Sequence, residues 1–386
     1  MPQSVIYCSH AQRVVLLDIP ASIEQGQQIP YTIKSTSALY DPYPSTEPKG
    51  SKREAALSAT RLDDRIYHQS VQGDISSALA EIQGYLREQS GHADWCHPRQ
   101  ALLSEGHLQL FPPTPSGISM SPASTDSSSG PVVLSTTEMR TRFSSIDCLR
   151  DVAVCNPTQQ RMVVLEARGV GDFFIPPSAS FILSTLERGL AGFRSACQTL
   201  LAAPKQFHMI LMDPPWSNRS ARRSGVYRTS EYQVQDPFLQ AVGIVSECLA
   251  PQGLVAIWIT NKVSVRGNVI EAVRPLNLHL HEEWVWIKTT IGGAPVTALD
   301  GVWRRPYEVL LLFREGQACD IPQRRIVAAV PDVHSRKPCL KGLLEKLLPV
   351  PYNALELFAR SMTAGWWSWG DEVLKFQHES QWVGSV

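Results

Sequence analysis

The 386-residue chain has no Cys-x-x-Cys pair; its eight cysteines are scattered at Cys8, Cys96, Cys148, Cys155, Cys197, Cys248, Cys319 and Cys339. That scatter excludes a dense disulfide framework and a cysteine-built zinc finger, and it suits a reducing intracellular compartment. No segment approaches the roughly eighteen consecutive apolar residues that a membrane-crossing helix needs. The first residues also lack a basic stretch leading into an apolar one, so a soluble protein with no membrane partner is expected. Charge of one sign is missing too: 36 Lys and Arg balance 36 Asp and Glu. A nucleic-acid surface must therefore come from local clusters of Arg and Lys. The ten histidines make no tight ligand pair with cysteine or carboxylate, so no metal is expected. His279 and His281, one residue apart, read as part of a strand.

What the chain does have is apolar residues, 43% of the total, enough for a sizeable core in one large domain with a smaller one beside it. Two stretches, 41–53 and 112–137, are rich in Pro and Ser and read as poorly folded linkers within an amino-terminal region, 1–150. That region also contains the strand-like run 14–17. A helix is expected around 75–87, where Ile75, Leu79, Ile82 and Leu86 share one face. From 151 to 386 apolar β-branched runs (162–165, 209–212, 254–259, 284–287, 309–313, 326–330 and 354–358) alternate with helical stretches near 178–188, 237–249, 263–273 and 339–348. The alternation predicts an α/β, Rossmann-like domain: a mostly parallel sheet with helices on both faces. Ligands of such sheets lie at the carboxyl ends of the strands.

The run ending at Met212 leads directly into Asp213-Pro214-Pro215-Trp216, so this tetrapeptide stands on the ligand-binding edge. An aromatic amine is a poor nucleophile because its lone pair is delocalised into the ring. A carboxylate (Asp213) and a backbone carbonyl held rigid between two prolines (Pro214, followed by Pro215) can accept its hydrogens and favour a more tetrahedral nitrogen. Trp216 offers a face on which a base can stack, worth roughly 1–3 kcal/mol. The same four residues also read as a strand breaker with a turn-capping Asp and a core Trp. The segment that follows is polar, and Asn218, Arg219, Arg222, Arg223 and Tyr227 could meet phosphate and a second base. Asn261, Lys288 and the pair Arg304-Arg305 are further candidates for the substrate strand.

Taken together, the tetrapeptide, Ile175-Pro176-Pro177, Trp258-Ile259-Thr260-Asn261, Glu283 to Lys288, Arg305 to Leu310, His334 to Pro338, Glu356 to Arg360 and Trp369 to Phe376 resemble the eukaryotic MT-A type of adenine-N6 methyltransferase, most closely its methyltransferase-like four branch. The resemblance covers about 160–378. It implies S-adenosylmethionine as cofactor, bound in a permuted order in which the catalytic motif precedes the cofactor strand. That order accounts for the missing glycine-rich loop at the start of the α/β pattern. The cofactor strand would then be Leu355-Glu356-Leu357-Phe358, ending at Ala359-Arg360, with alanine in place of the usual glycine. By the same resemblance Arg360 meets the ribose, Lys337 neutralises the carboxylate, Asp371 and Glu372 grip ribose and adenine, and Ile175 and Pro176 pack on the adenine. Asp213 would also lie near the cofactor's amino group. Relatives often carry Asn where this chain has Asp371.

The implied substrate is a 2′-O-methyladenosine of spliceosomal small nuclear RNA, methylated in the nucleus, with the cytoplasm as an alternative, by a single chain. The residues themselves do not separate RNA from DNA, so a DNA adenine methyltransferase stays open, as does a catalytically silent nucleic-acid-binding scaffold. The intact tetrapeptide, Lys337 and Arg360 argue against the scaffold.

Overall fold

The computed structural model describes residues 3–90, 94–102, 130–216, 236–317 and 321–384. Two compact units emerge, each discontinuous in sequence: Met1–Gln25, Lys34–Leu102 and Ile257–Gly342 form one, and Gly26–Ile33, Leu103–Ala256 and Leu343–Val386 form the other. Neither ends at 150. The physical reason lies in β1 (Val5–Cys8) and β2 (Val14–Leu17), which are strands of a sheet with the distant carboxyl-terminal half. A four-residue apolar run with every side chain buried, as in β2, cannot stand alone and needs neighbours on both edges.

In the second unit the main strands are β3 (Val132–Val133), β4 (Ala153–Cys155), β5 (Ser180–Leu183), β6 (Phe207–Met212), β7 (Leu249–Ile259, whose last residues belong to the first unit), β11 (Ala354–Leu357) and β12 (Trp367–Gly370). Their order is β7-β6-β11-β12-β5-β4-β3. The pairs β6–β11, β11–β12, β12–β5 and β4–β3 are parallel, and β5–β4 is antiparallel. In the first unit β8 (Leu278–Lys288), β9 (Tyr307–Glu315) and β10 (Gln323–Ala329) give the order β1-β2-β10-β8-β9. There β2–β10 and β10–β8 are parallel, while β8–β9 and β1–β2 are antiparallel. The chain is therefore of the α/β class with mostly parallel sheet, as expected.

Helices α1 (Ile19–Gln27), α2 (Ser51–Ser58), α3 (Leu62–Ser90), α4 (Leu186–Leu200), α5 (Pro237–Cys248), α6 (Val263–Val273) and α7 (Lys341–Leu344) complete the picture. Expectations at 237–249 and 263–273 correspond to α5 and α6. The α5 start is built locally: Asp236 accepts the Phe238 N–H, and Pro237 occupies the first turn, where its missing N–H costs nothing. The helix expected around 75–87 is the middle of the much longer α3.

Three expectations are corrected. Residues 178–188 are not a helix: Ser180–Leu183 is a fully buried strand, and α4 begins only after Thr185, whose hydroxyl accepts the Arg188 N–H. A short apolar run reads equally well as strand or buried helix, and length decides only once the cap is found. The run at 162–165 belongs to the strand Val163–Ala167, which pairs with Arg140–Phe143 and Gly171–Ile175 in a separate three-stranded sheet rather than in the parallel one. Segment 41–53, read as a poorly folded linker, has a fixed place. The main-chain N–H groups of Val302, Trp303 and Arg304 need an acceptor, and the Glu47 carboxylate supplies it; α2 follows directly. Of the second linker, 112–129 lie outside the described residues, whereas Val132–Val133 forms β3.

The strand β2 gives a test of this assembly. Leu16 is fully buried, so Leu16→Ala should cost about 2–5 kcal/mol in denaturant unfolding. The same change at Leu62, 61% exposed, should stay within about 0.5 kcal/mol. Equal effects would mean that residues 14–17 are not part of the core.

Candidate active site

In the second unit, β6 is buried along most of its length, and its last residue, Met212, stands opposite Leu357 of β11. Asp213 follows, half-buried, then a buried Pro214, an exposed Pro215 and a half-buried Trp216. The Trp216 N–H donates to the Pro214 carbonyl at 2.8 Å, which closes the tetrapeptide into a tight turn. One lone pair of that carbonyl is thus engaged. The Trp216 ring leans on Phe238 of α5, with centroids 5.2 Å apart and planes at 50°. The capped start of α5 therefore steadies the aromatic residue.

Glu356 lies on β11, opposite Leu211, and feels the charge of Asp213. Burial first and that charge second push its carboxyl up to about 8. It therefore holds a proton at neutral pH and can donate a hydrogen bond. Past β11 the backbone turns abruptly: Phe358 has φ of +60°, a left-handed conformation that is costly for a bulky residue. Ala359 N–H then donates to the Trp369 carbonyl at 3.0 Å. The neighbouring Gly370 has no alternative, since a Cβ there would come 2.3 Å from the Ala359 carbonyl oxygen. Leu357 is a core side chain.

Beyond this turn Arg360 Nε meets Glu372 Oε2 at 3.0 Å, and Lys375 Nζ meets the other oxygen of Glu372 at 3.0 Å. Arg360 and Glu372, expected to contact the cofactor separately, hold each other here, with Asp371 exposed beside them. Ile175 and Pro176 are both buried, and Asn156 Nδ2 donates to their carbonyls at 3.2 and 2.9 Å. Ile175 packs in a core cluster with Val163, Phe173 and Phe181. The three-stranded sheet, not the parallel one, presents this segment.

The first unit carries its own cluster. At the end of β8, Lys288 Nζ binds Glu308 Oε1 at 2.6 Å, and Lys337 Nζ binds Glu308 Oε2 at 2.6 Å. Burial alone would raise the Glu308 carboxyl, but the two ammonium groups hold it down to about 2. Each lysine also sits over an indole: Lys337 is 4.9 Å from the Trp258 ring and Lys288 is 4.7 Å from the Trp286 ring. The two indoles meet edge to face at 6.2 Å. Asn261 Nδ2 reaches the Arg305 carbonyl at 3.5 Å. Buried His68 of α3 bonds through Nδ1 to the Tyr307 hydroxyl at 2.6 Å, and burial together with Arg305 pushes its pKa down to about 4.

The site residues named from sequence thus fall into two groups, one in each unit. Asn218, Arg219, Arg222, Arg223 and Tyr227 lie outside the described residues. Glu308, Trp286 and His68 were missed. Glu308 had a local signal, a carboxylate one residue into a strand whose next five residues are apolar, whereas nothing local links His68 to Tyr307.

A family model described as MT-A70 matches residues 207–372. The N6-methyladenosine RNA methyltransferase MTA1 of Cryphonectria parasitica is 33% identical over 357 residues, which are 87% of this chain and 97% of that one. The MTA1 of Pyricularia oryzae is 37% identical over 225 residues, 55% of this chain and 57% of that protein. The human N(6)-adenine-specific methyltransferase METTL4 is 35% identical over 222 residues, 53% of this chain and 44% of that protein. The similarity thus runs nearly end to end in the first relative and over about half the length of the other two.

Glu356 sets a pH dependence. Its folded pKa of about 8 lies above the ordinary 4.5, so the folded state binds the extra proton between those values. The stability this gives is fully present below about 4.5 and is lost as pH rises through about 8. His68, depressed from 6.5 to about 4, acts in the opposite sense and only at lower pH. Between pH 6.5 and 8.5 the melting temperature should therefore fall more steeply for the natural chain than for Glu356→Gln. Parallel curves for the two proteins would refute a raised Glu356.

Proposed function

This chain belongs to the MT-A70 family and is an adenine-N6 methyltransferase, and from that membership we propose that its substrate is RNA, specifically a 2′-O-methyladenosine of spliceosomal small nuclear RNA. The names of the fungal relatives support RNA. The resemblance to the methyltransferase-like four branch supports the ribose-methylated adenosine, a nuclear site of action and a single chain as the working unit. The observation that carries the chemistry is the turn at Asp213-Pro214-Pro215-Trp216, set at the carboxyl end of a buried parallel strand whose neighbour carries Glu356.

The donor in this reading is S-adenosylmethionine, which supplies a methyl group already activated on a sulfonium. The residues present suit such a molecule. Within the second unit, Asp371 and Glu372 offer acceptors for vicinal hydroxyls, with Arg360 a cation beside them. Glu356, carrying its proton, adds a donor where a second charged carboxylate would repel Asp213.

The chain's own part in the reaction is positioning. Asp213 accepts one hydrogen of the exocyclic amine and the Pro214 carbonyl accepts the other, which draws the nitrogen lone pair out of conjugation. Trp216, braced by Phe238, stacks on the base. Methyl transfer to the amine would leave its nitrogen positive, and Asp213 would accept the proton that the nitrogen then gives up. The proton then passes to water. Holding the amine in line this way converts a slow encounter into a near-attack geometry.

Full-length protein should be incubated with S-adenosylmethionine and three matched oligonucleotides: RNA with a central 2′-O-methyladenosine, unmodified RNA, and DNA. N6-methylation is read by mass spectrometry. The modified RNA should be methylated fastest, and Asp213→Asn should lose roughly a hundredfold or more in kcat with its melting temperature kept. Preference for DNA would overturn the RNA assignment; transfer to no adenine would overturn the mechanism.

A further inference from the structure

In the second unit the residues suited to the nucleoside half of the cofactor stand on three separate stretches: Ile175-Pro176, Arg360 and Asp371-Glu372. Strand pairing does not hold these stretches to one another. From the left-handed Phe358 onward, residues 358–366 form neither strand nor helix. Their main-chain N–H groups need acceptors from elsewhere.

Gln377 is one such acceptor, and its side chain is wholly buried. Its Oε1 accepts the Met362 N–H at 3.0 Å, while its Nε2 donates to the Phe174 carbonyl at 2.6 Å and to Gln27 Oε1 at 2.9 Å. Both amide hydrogens and the amide oxygen are thus in use. The main chain repeats the connection: Phe174 N–H donates to the Gln377 carbonyl at 2.9 Å, and Phe376 N–H to the Arg360 carbonyl at 3.3 Å. Gln27, also buried, is anchored through its neighbour, since Ala364 N–H donates to the Gly26 carbonyl at 2.9 Å. Every one of these residues belongs to the second unit. Phe174 directly precedes Ile175, and Met362 follows Arg360 by two positions. A single amide therefore joins the 174–176 segment to the 360–362 segment. A polar side chain withdrawn from water is costly unless its hydrogen bonds are made, and here they are made to the two segments that flank the site residues.

We propose that Gln377 is a positioning residue for S-adenosylmethionine: without touching the cofactor, its amide fixes where Ile175-Pro176 stands relative to Arg360. The proposal rests on the reading of the second unit as the part of a methyltransferase that holds the cofactor's nucleoside. It assigns Gln377 to binding, not to methyl transfer.

The test uses the full chain and two ligands, S-adenosylhomocysteine and 5′-methylthioadenosine, which keeps the nucleoside but lacks the aminocarboxylate. Titration calorimetry reads their affinities, and methyl transfer to RNA is read separately. Gln377→Met, similar in length but without the amide, should weaken both ligands by the same factor, roughly tenfold, equivalent to about one net hydrogen bond. It should raise KM for S-adenosylmethionine with kcat kept, the mark of lost uniform binding. Amide hydrogen exchange should quicken in residues 358–366 but not in β6, and saturating S-adenosylhomocysteine should slow it again. Gln27→Leu, which leaves the bonds to Phe174 and Met362, should weaken both ligands less, and it decides the matter if Gln377→Met does not fold. Val245→Ala, at a buried position of α5, should lower the melting temperature with both affinities kept. The proposal is overturned if Gln377→Met lowers the melting temperature and leaves S-adenosylhomocysteine binding unchanged, or if kcat falls while KM stays. A loss seen with S-adenosylhomocysteine but not with 5′-methylthioadenosine would overturn it as well, because the effect would then fall on the aminocarboxylate. A natural chain that binds neither ligand refutes the cofactor reading and the proposal with it; a natural chain that binds both, beside an indifferent Gln377→Met, refutes the proposal alone.

Discussion

Parallel pairing of β6 with β11 brings Asp213 and Glu356 together at one end of the sheet, and the rest of the second unit follows from what that costs. Burial and the neighbouring charge of Asp213 make Glu356 costly to ionise. Holding a proton on Glu356, up to about 8, removes the repulsion and leaves a donor beside an acceptor. The scaffold that enforces the pairing is aromatic. Phe193 of α4 stacks near Phe207 of β6 at 6.0 Å and on Trp369 of β12 at 4.9 Å, and Trp367 meets Phe207 edge-on at 5.7 Å. Such rings bring large buried area and preferred geometries, so the strands hold register. Gly189 lets α4 come close, because a Cβ there would lie 2.9 Å from the Trp369 ring.

The first unit solves the opposite problem, two cations near each other. Glu308 takes one ammonium on each carboxylate oxygen, and each lysine has an indole face beneath it. A carboxylate so placed is held ionised against its own desolvation. Neither lysine can move without disturbing Glu308, so the positions of Lys337 and Lys288 are coupled through one residue. Nearby, His68 stays neutral and ties α3 to Tyr307, the residue next to Glu308. The amino-terminal helix thereby supports the same strand end.

How much of this was legible depends on range. Asp213 to Trp216 could be placed from sequence because a buried strand and a proline pair are local signals. The helices at 237–248 and 263–273 were equally readable, since their periodicity and, for the first, its Asp-Pro cap lie in the same window. Ser180–Leu183 was misread because four apolar residues carry no period. The 41–53 segment was misread because composition counts side chains. What orders that segment is the main chain of residues 302–304, about 250 positions away, seeking an acceptor in Glu47. The salt-bridged state of Arg360 and Glu372 was likewise invisible: sequence assigned each a ligand but not each other.

The boundary near 150 failed for a reason that bears on function. A parallel strand cannot be joined to its neighbour by a tight turn, so an α/β sheet recruits strands from wherever the chain can supply them. Here Val14–Leu17 pairs with Ile326 to Ala328, and Tyr43 pairs with the loop that leaves Lys288. Met1–Gln25 and Lys34–Leu102 are thus structural members of the unit that holds the lysine cluster, not an appendage to it. Any change in that early segment reaches Lys288 through one or two backbone hydrogen bonds, a shorter path than the chain itself provides. The placement of Lys288 therefore depends on residues far from it in the sequence.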